Sequence, residues 1–430
     1  MNARRTAFDV LIKSERSNQY SNIAVDRALE ASDLAEKDRA LAAAIIYGVT
    51  ERRVTLDYYI SRLSTRAVED IDPDALCAVR MGLYQLIYMD RIPPHAAVNE
   101  TVALCRKNLS GFVNALLRAY MRRGSEIELP SEENAPAEYL SAAYSVCPPL
   151  SEKLIAEFGY DRAKSILQSS FDTPRTTLRV NELRTDKGEL MRNIKNAVPS
   201  DISSQGLKIS GSVRNTFGFD TGMFFVQDEA SQICVNAVSA KEGDVVIDAC
   251  SCPGSKSFGM AIDMKNKGKI FSFDLHKSKL SLVRDGAKRL GIDIIETRVG
   301  DGRVFLPELE GAADKVLCDV PCSGYGVLAK KPELRYKNPA VSAALPDIQL
   351  AILSNCARYV RKGGTLVYST CTILPEENEK NVKRFLAQNT DFRLEGFEYF
   401  GRECLSGTLS LYPDTDRTDG FFIAKMIKNG

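Results

Sequence analysis

Between residues 245 and 370 the chain repeats one pattern: a short apolar run, then a longer amphipathic stretch. Val245-Val246-Ile247-Asp248, Ile270-Phe271-Ser272-Phe273-Asp274, Lys315-Val316-Leu317-Cys318-Asp319 and Thr365-Leu366-Val367-Tyr368-Ser369 are the apolar runs. Ser278 to Leu290 and Ala340 to Val360 are helical stretches between them. Strands that alternate with helices predict a mostly parallel, doubly wound α/β sheet, because each helix carries the chain back across a sheet face. Ligands of such sheets bind beyond the carboxyl ends of the strands. Asp248, Asp274 and Asp319 end three of the runs, so all three are expected at one edge, in one crevice.

The rest of the chain reads differently. Residues 1 to 129 have helical periodicity, as in Ala7, Val10, Leu11 and in Leu76, Val79, Leu83, Leu86, Ile87. Met1 to Thr6 lead into this pattern without an apolar leader. Ser32-Asp33 and Asp70-Ile71-Asp72-Pro73 read as helix starts, and Gly111 to Arg118 opens another helix. A helical bundle is expected. A polar, Pro-containing linker spans 130–138. Residues 139–221 mix short helices with extended segments (Arg175 to Val180, Leu207 to Ile209), a small α+β module, and 222–430 carry the α/β pattern.

Partners are constrained by charge and cysteine. With 57 basic and 56 acidic residues the net charge is +1, so a nucleic-acid site must come from local clustering. Eleven cysteines in a chain of 430, an odd number without a leader, predict reduced thiols in the cytoplasm rather than a disulfide framework. There is no C-x-x-C pair and only two histidines, so no metal is expected. The most apolar early stretch, Ala40 to Val49, falls short of the ~20 residues a membrane helix needs. No membrane partner is expected.

The segment Asp248-Ala-Cys250-Ser251-Cys252-Pro253-Gly254-Ser255-Lys256-Ser257 joins a strand to a helix. Gly254 lets the backbone turn tightly and approach a ligand. Asp274, twenty positions after Gly254, is placed to bind both hydroxyls of a ribose. Asp301, in Gly300-Asp301-Gly302, lies beyond the next strand, where it can read an exocyclic amine. NAD and S-adenosylmethionine both suit such a crevice. The dinucleotide fingerprint G-x-G-x-x-G is absent, and so are the glycines of a phosphate-binding P-loop. That favours a nucleoside without pyrophosphate.

Two cysteines sit where strands give way to loops at the same edge: Cys322 in Asp319-Val-Pro321-Cys322-Ser323-Gly324, and Cys371 in Ser369-Thr370-Cys371-Thr372. Carbon 5 of cytosine is a weak nucleophile. A thiolate added to carbon 6 converts the ring to an enamine that can attack a methylsulfonium carbon. An acid such as Asp319 beside ring nitrogen 3 eases the addition, and Lys256 is a source of positive charge for the thiolate. Either cysteine suits the nucleophile's place.

Further motifs accompany these: Tyr47-Gly48-Val49, Gly82-Leu-Tyr-Gln-Leu, Ile92-Pro-Pro-His95-Ala-Ala, Gly111-Phe-Val-Asn114-Ala-Leu-Leu-Arg118, Gln227-Asp228-Glu229-Ala230-Ser231, Tyr368-Ser-Thr370-Cys371-Thr-Ile-Leu-Pro-Glu-Glu-Asn378 and Asp419-Gly-Phe-Phe-Ile-Ala-Lys425. Over nearly its whole length the chain resembles the RsmB (Sun/Fmu) group of RNA cytosine-5 methyltransferases, which act on small-subunit (16S) ribosomal RNA. The resemblance implies an all-α NusB-like RNA-binding domain over 1–129, an RRM-like module over 139–221 holding Arg179 and Asn181, and a Rossmann-like, class I S-adenosylmethionine-dependent methyltransferase domain over 222–430. It makes Cys371 the nucleophile and Cys322 the residue that assists product release. It assigns Cys250, Ser251, Cys252, Pro253, Gly254, Ser255, Lys256, Asp274, Asp301 and Asp319 to the S-adenosylmethionine site. The expected partner is 16S rRNA or a small-subunit assembly intermediate, met by a monomer. Two departures stand out: Ser255 replaces a glycine in the first loop, and Tyr325 a smaller residue.

Lys330, Lys331, Arg335 and Lys337 cluster after the Asp319 loop, opposed only by Glu333, and are expected to hold phosphates. A target base must be unpaired or flipped to enter the crevice. With no tryptophan, stacking falls to Tyr, Phe or Arg. Two rival readings are an RNA-binding assembly factor that has lost catalysis and a methyltransferase for another RNA, such as transfer RNA. Cys322, Cys371, Asp319 and Lys256 argue against the first. Only substrate assays separate the second.

Overall fold

Asp72 and Pro73 start the helix around which the first part of the chain packs. The Asp72 carboxylate accepts the N–H groups of Asp74 and Ala75 at 2.9 and 3.4 Å, and Pro73 fills the first helical position, where its missing N–H costs nothing. The helix Pro73–Tyr88 is buried continuously from Ala75 to Leu83, as befits the centre of a bundle. Arg80 inside it is satisfied by Asp57, at 2.6 and 2.8 Å, and by Glu15. That pairing offsets the several kcal/mol an unpaired buried ion costs. Pro94, Pro136 and Pro148 likewise open the helices Pro94–Val102, Pro136–Tyr144 and Pro148–Phe158.

The computed structural model describes residues 2–17, 22–172 and 175–430; Met1 lies outside them. Contacts divide the chain into two units, Met1–Gln168 with Leu328–Pro339, and Ser169–Val327 with Ala340–Gly430. Three sequence expectations are corrected in the first unit. Ser32 does not start a helix: its hydroxyl caps the Leu29 carbonyl at 2.6 Å, and the next helix begins at Glu36. Gly111 lies within the helix Lys107–Arg123 rather than at its start. Arg335 is not a phosphate contact. It is fully buried, donates to the Tyr144 carbonyl at 3.0 Å, and burial pulls its pKa down to about 10.

The second unit holds two main sheets. Strands β1 (Thr176–Val180), β2 (Val198–Pro199), β3 (Gly206–Ile209) and β4 (Phe224–Val226) form an antiparallel sheet in the order β2-β3-β1-β4. Arg179, 1% exposed, reaches out of β1 to Asp263 at 2.6 Å. Asn181 donates to the Gly222 and Leu290 carbonyls at 2.8 and 2.9 Å. Both side chains staple the small sheet to the helices that follow.

The large sheet comprises β5 (Val245–Asp248), β6 (Lys269–Asp274), β7 (Ile295–Val299), β8 (Ala313–Asp319), β9 (Val360–Thr370) and β10 (Phe392–Leu394). After a two-stranded ribbon of β11 (Phe397–Tyr399) and β12 (Arg402–Cys404), it is completed by β13 (Thr408–Leu411) and β14 (Phe421–Lys428). The order is β10-β14-β9-β8-β5-β6-β7, with β13 beside β14. Strands β7, β6, β5, β8 and β9 run parallel and β14 antiparallel. Successive residues alternate between two cores: Val246, Leu317, Val367 and Ile423 on one face, Ile247, Val316, Leu366 and Phe422 on the other, the period of two a pleated strand imposes. From β5 the chain moves outward to β7 and then returns to β8 on the opposite side of β5. That reversal opens a crevice at the carboxyl ends of β5 and β8.

Candidate active site

The loop after β5 is shaped by a few local bonds. Ser251 ties it to β6 by donating its N–H and its hydroxyl to the Phe273 carbonyl, at 2.7 and 3.0 Å. Gly254 takes a φ of 112°, a left-handed turn that a side chain disfavours. Ser255 needs no such freedom, because it opens the helix Ser255–Asp263. Its carbonyl accepts the Gln227 amide at 3.0 Å. Lys256, on the first turn, points its ammonium at Asp319 of β8, 2.6 Å away, and lies 5.1 Å from the centre of the Phe421 ring. Burial works against its charge, but Asp319, together with the thiols of Cys234 and Cys371, outweighs it and holds the lysine protonated. The second Asp319 oxygen accepts the Ser369 hydroxyl at 2.7 Å.

Beside this pair the two crevice cysteines meet. The sulfurs of Cys322 and Cys371 are 2.9 Å apart, and the Cys371 N–H donates to the Cys322 sulfur at 3.2 Å. Both are free thiols. The Cys371 thiol alongside, with burial, pushes the Cys322 pKa well up, so Cys322 keeps its proton. Burial also raises the thiols of Cys250 and, to about 12 with Asp274 adding to it, Cys252, which leaves neither as a rival nucleophile.

The loops carrying the cysteines are locked together. Gly326 donates to the Cys371 carbonyl at 3.1 Å and accepts from Gly420 at 2.8 Å. A Cβ on Gly326 would fall 1.9 Å from the Gly420 carbonyl oxygen, so backbone must move to admit one. Gly326→Ala is expected to destabilise the protein by about 2–3 kcal/mol, read as a lower midpoint in urea unfolding. A midpoint equal to wild type would contradict this packing. Ser323 and Thr372 share a hydroxyl hydrogen bond of 2.8 Å. Below them, Thr370 bonds Asn378 at 2.5 Å, and Asn378 returns to the Thr372 carbonyl at 2.9 Å.

On the other side of β5 lies a cavity of about 170 Å³, walled by Ile247, Ala249, Phe273, Val304 and Tyr359 with Asp301 at its rim. An apolar cavity with a carboxylate in its lining suits a purine with its amine. Asp301 holds Arg303 through both oxygens, at 2.6 to 3.1 Å, and that guanidinium keeps its carboxyl below the usual range. Asp274 ends β6 and accepts the His276 N–H at 2.8 Å. The residues present therefore fit S-adenosylmethionine.

The structure brings Cys322, Cys371, Lys256 and Asp319 into one group, ties the 250–256 loop to the end of β6 through Ser251 and Phe273, and puts Asp301, without Asp274, in the lining of the cavity. Of the strand-end aspartates, Asp248 departs from expectation. It is 1% exposed, accepts the Ser257 hydroxyl at 2.6 Å and leaves Oδ1 without a partner. Burial raises its pKa to about 7. Residues that sequence reasoning passed over include Gln349 and Glu377, both buried, and Asn355, whose amide holds the Gly302 and Val304 carbonyls at 2.7 and 3.1 Å. Only Glu377 carried a signal, lying in the Pro-Glu-Glu-Asn run after Cys371.

Residues 235–427 match the family model 16S rRNA methyltransferase RsmB/F, and residues 1–122 match the NusB family. The "Probable ribosomal RNA small subunit methyltransferase B" of Bacillus subtilis is 34% identical over 99% of this chain and 99% of its own. Among solved structures, PH0851 is 27% identical and superposes with a TM-score of 0.84 over 99% of both chains. NSun6 from Pyrococcus horikoshii with SFG, at 22% identity, shares the fold over 65% of this chain and 97% of its own, with a TM-score of 0.59.

Proposed function

The chain belongs to the ribosomal RNA small subunit methyltransferase B family, and from that premise we propose that it methylates carbon 5 of a cytosine in 16S rRNA through a covalent bond from Cys371 to ring carbon 6. The observation that carries this reading is the pair of thiols 2.9 Å apart beside the Lys256–Asp319 ion pair. A methyltransferase acting on a ring nitrogen or a ribose hydroxyl has no use for two adjacent thiols at the reacting edge.

S-adenosylmethionine, the methyl donor, supplies an electrophilic carbon on a sulfonium when bound. Lys256 interacts electrostatically with Cys371; the attraction is mutual, so the ammonium favours thiolate over thiol. The thiolate forms a bond to carbon 6, and the ring's π electrons move towards carbon 5 and nitrogen 3. The proton that Cys371 gives up passes by way of Asp319, oriented by Lys256 and Ser369, to nitrogen 3, and returns to the Cys371 sulfur when that sulfur departs. Carbon 5 then takes the methyl group as the methyl–sulfur bond of the donor breaks, leaving S-adenosylhomocysteine. The carbon 5 proton leaves to a base, the sulfur–carbon 6 bond breaks, and the carbon 5–carbon 6 double bond returns. Cys322, a protonated thiol, assists by hydrogen-bonding the departing Cys371 thiolate.

Residues 1–129 and 139–221 serve as RNA-holding parts beside a catalytic domain over 222–430. The protein acts as a monomer in the cytoplasm on 16S rRNA, free or in an assembling subunit. The test is chemical identification of the product. Purified protein is incubated with methyl-tritiated S-adenosylmethionine and small-subunit rRNA, and the RNA is digested to nucleosides. The label is expected in 5-methylcytidine. Label in any other nucleoside, or in transfer RNA but not 16S rRNA, would overturn the reading.

A further inference from the structure

The loop carrying Cys322 is held by a buried side chain with no part in the steps above. Glu377, 3% exposed, accepts the Ser323 N–H at 3.0 Å and the Gln349 amide at 2.7 Å on one oxygen. The same Gln349 nitrogen donates to the Pro321 carbonyl at 2.9 Å. Both chain neighbours of Cys322 are thus fixed to one carboxylate–amide pair. The Glu377 carbonyl also takes the Tyr368 hydroxyl at 2.5 Å, and Tyr368 lies three positions before Cys371. One residue therefore anchors both cysteines, one through its side chain and the other through its backbone.

Stability alone gives no reason for the charge. Among the described residues, the hydrogen-bond donors to the Glu377 carboxylate are the neutral Ser323 N–H and Gln349 amide, and burying a carboxylate among neutral donors is costly. A glutamine would accept the same bonds more cheaply. The charge does act on the thiol next door: among the groups facing Cys322, Cys371 and Glu377 both oppose its ionisation. Tyr368 faces it from β9 as a neutral phenol, and Lys256 interacts with Cys371.

We propose that Glu377 is a positioning residue for Cys322: its carboxylate seats this thiol against Cys371, and its charge adds to the effect of Cys371 and burial in disfavouring a Cys322 thiolate, so that Cys371 is the sulfur that becomes the nucleophile. Glu377 thereby assigns different roles to two otherwise similar cysteines. The kinetic consequence rests on the covalent reading above; the thiol chemistry does not.

The experiment uses the full chain without RNA. Cysteine alkylation by iodoacetamide is followed peptide by peptide from pH 6 to 10. In wild type, Cys371 is expected to react at lower pH than Cys322. In Glu377→Gln, alkylation of Cys322 at pH 8 rises at least about five-fold while Cys371 changes less than about two-fold. A merely structural role would move both or neither. An unchanged Cys322 profile in folded Glu377→Gln would overturn the proposal. So would faster alkylation of Cys322 than Cys371 in wild type, a result that decides even if the variant does not fold. With RNA, Glu377→Gln should retain its first turnover within about three-fold but release product slowly. If alkylation shifts as expected while no protein–RNA adduct forms in any variant, the covalent mechanism fails and the assignment of Glu377 stands.

Discussion

Cys371→Ala abolishes methyl transfer to 16S rRNA, by at least about 10³-fold, or about 4 kcal/mol of transition-state stabilisation, while S-adenosylmethionine binds within about three-fold of wild type. The expectation follows from the division of the crevice. The cavity lined by Phe273 and Asp301 and the end of β6 at Asp274 lie on one side of β5, whereas Cys371 follows β9 on the other side. Removing its sulfur deletes the bond-forming atom and leaves the 250–256 loop and its contacts with Phe273 intact. Methyl transfer is read from tritium incorporation and cofactor affinity from calorimetry. Activity within ten-fold of wild type would mean that carbon 5 is reached without this thiolate.

Cys322→Ala has a different outcome. The first methyl transfer proceeds, the protein stays joined to the RNA, and multiple turnover falls by about 10²-fold or more. A slow-migrating species appears on denaturing gels and is absent when Cys371 is also replaced. The variant should fold, because among the described residues the thiol's hydrogen bond with the backbone, from the Cys371 N–H, is worth only about 0.5–1.5 kcal/mol. Cys322 keeps its proton because Cys371 and burial raise its pKa. It is thus equipped to support a departing thiolate rather than to attack. A soluble, folded variant that turns over at the wild-type rate would remove this role.

The parts of the molecule legible in the sequence were those set by local pattern. Alternating apolar runs and amphipathic stretches gave the parallel sheet, and strand ends gave Asp274, Asp319, Cys322 and Cys371, since the carboxyl edge of such a sheet is fixed by topology. The Asp72-Pro73 cap was readable because capping needs only adjacent residues. Features built by pairs distant in sequence were not readable. Gln349 and Glu377 are 28 residues apart, and Glu377 and Ser323 are 54 apart. In the helix Leu345–Tyr359 a buried glutamine cannot be told from a solvated one by periodicity. Arg335 shows the same limit in reverse. Among lysines it reads as part of a phosphate-binding cluster, yet the chain from Leu328 to Pro339 packs with the helical unit and buries its guanidinium. Asp248 shares its position at a strand end with Asp274 and Asp319, but the helix after it covers the carboxylate, and no sequence rule states which strand end will be roofed.

The proposed catalysis turns on a bond between one sulfur and one ring carbon. Its most direct measurement is peptide-level mass spectrometry of the species trapped by Cys322→Ala with 16S rRNA and S-adenosylmethionine, after nuclease and protease digestion. A methylated cytidine nucleotide is expected on Cys371. Attachment to any other residue, or 5-methylcytidine formed with no protein-linked nucleotide in the trapping variant, would contradict it.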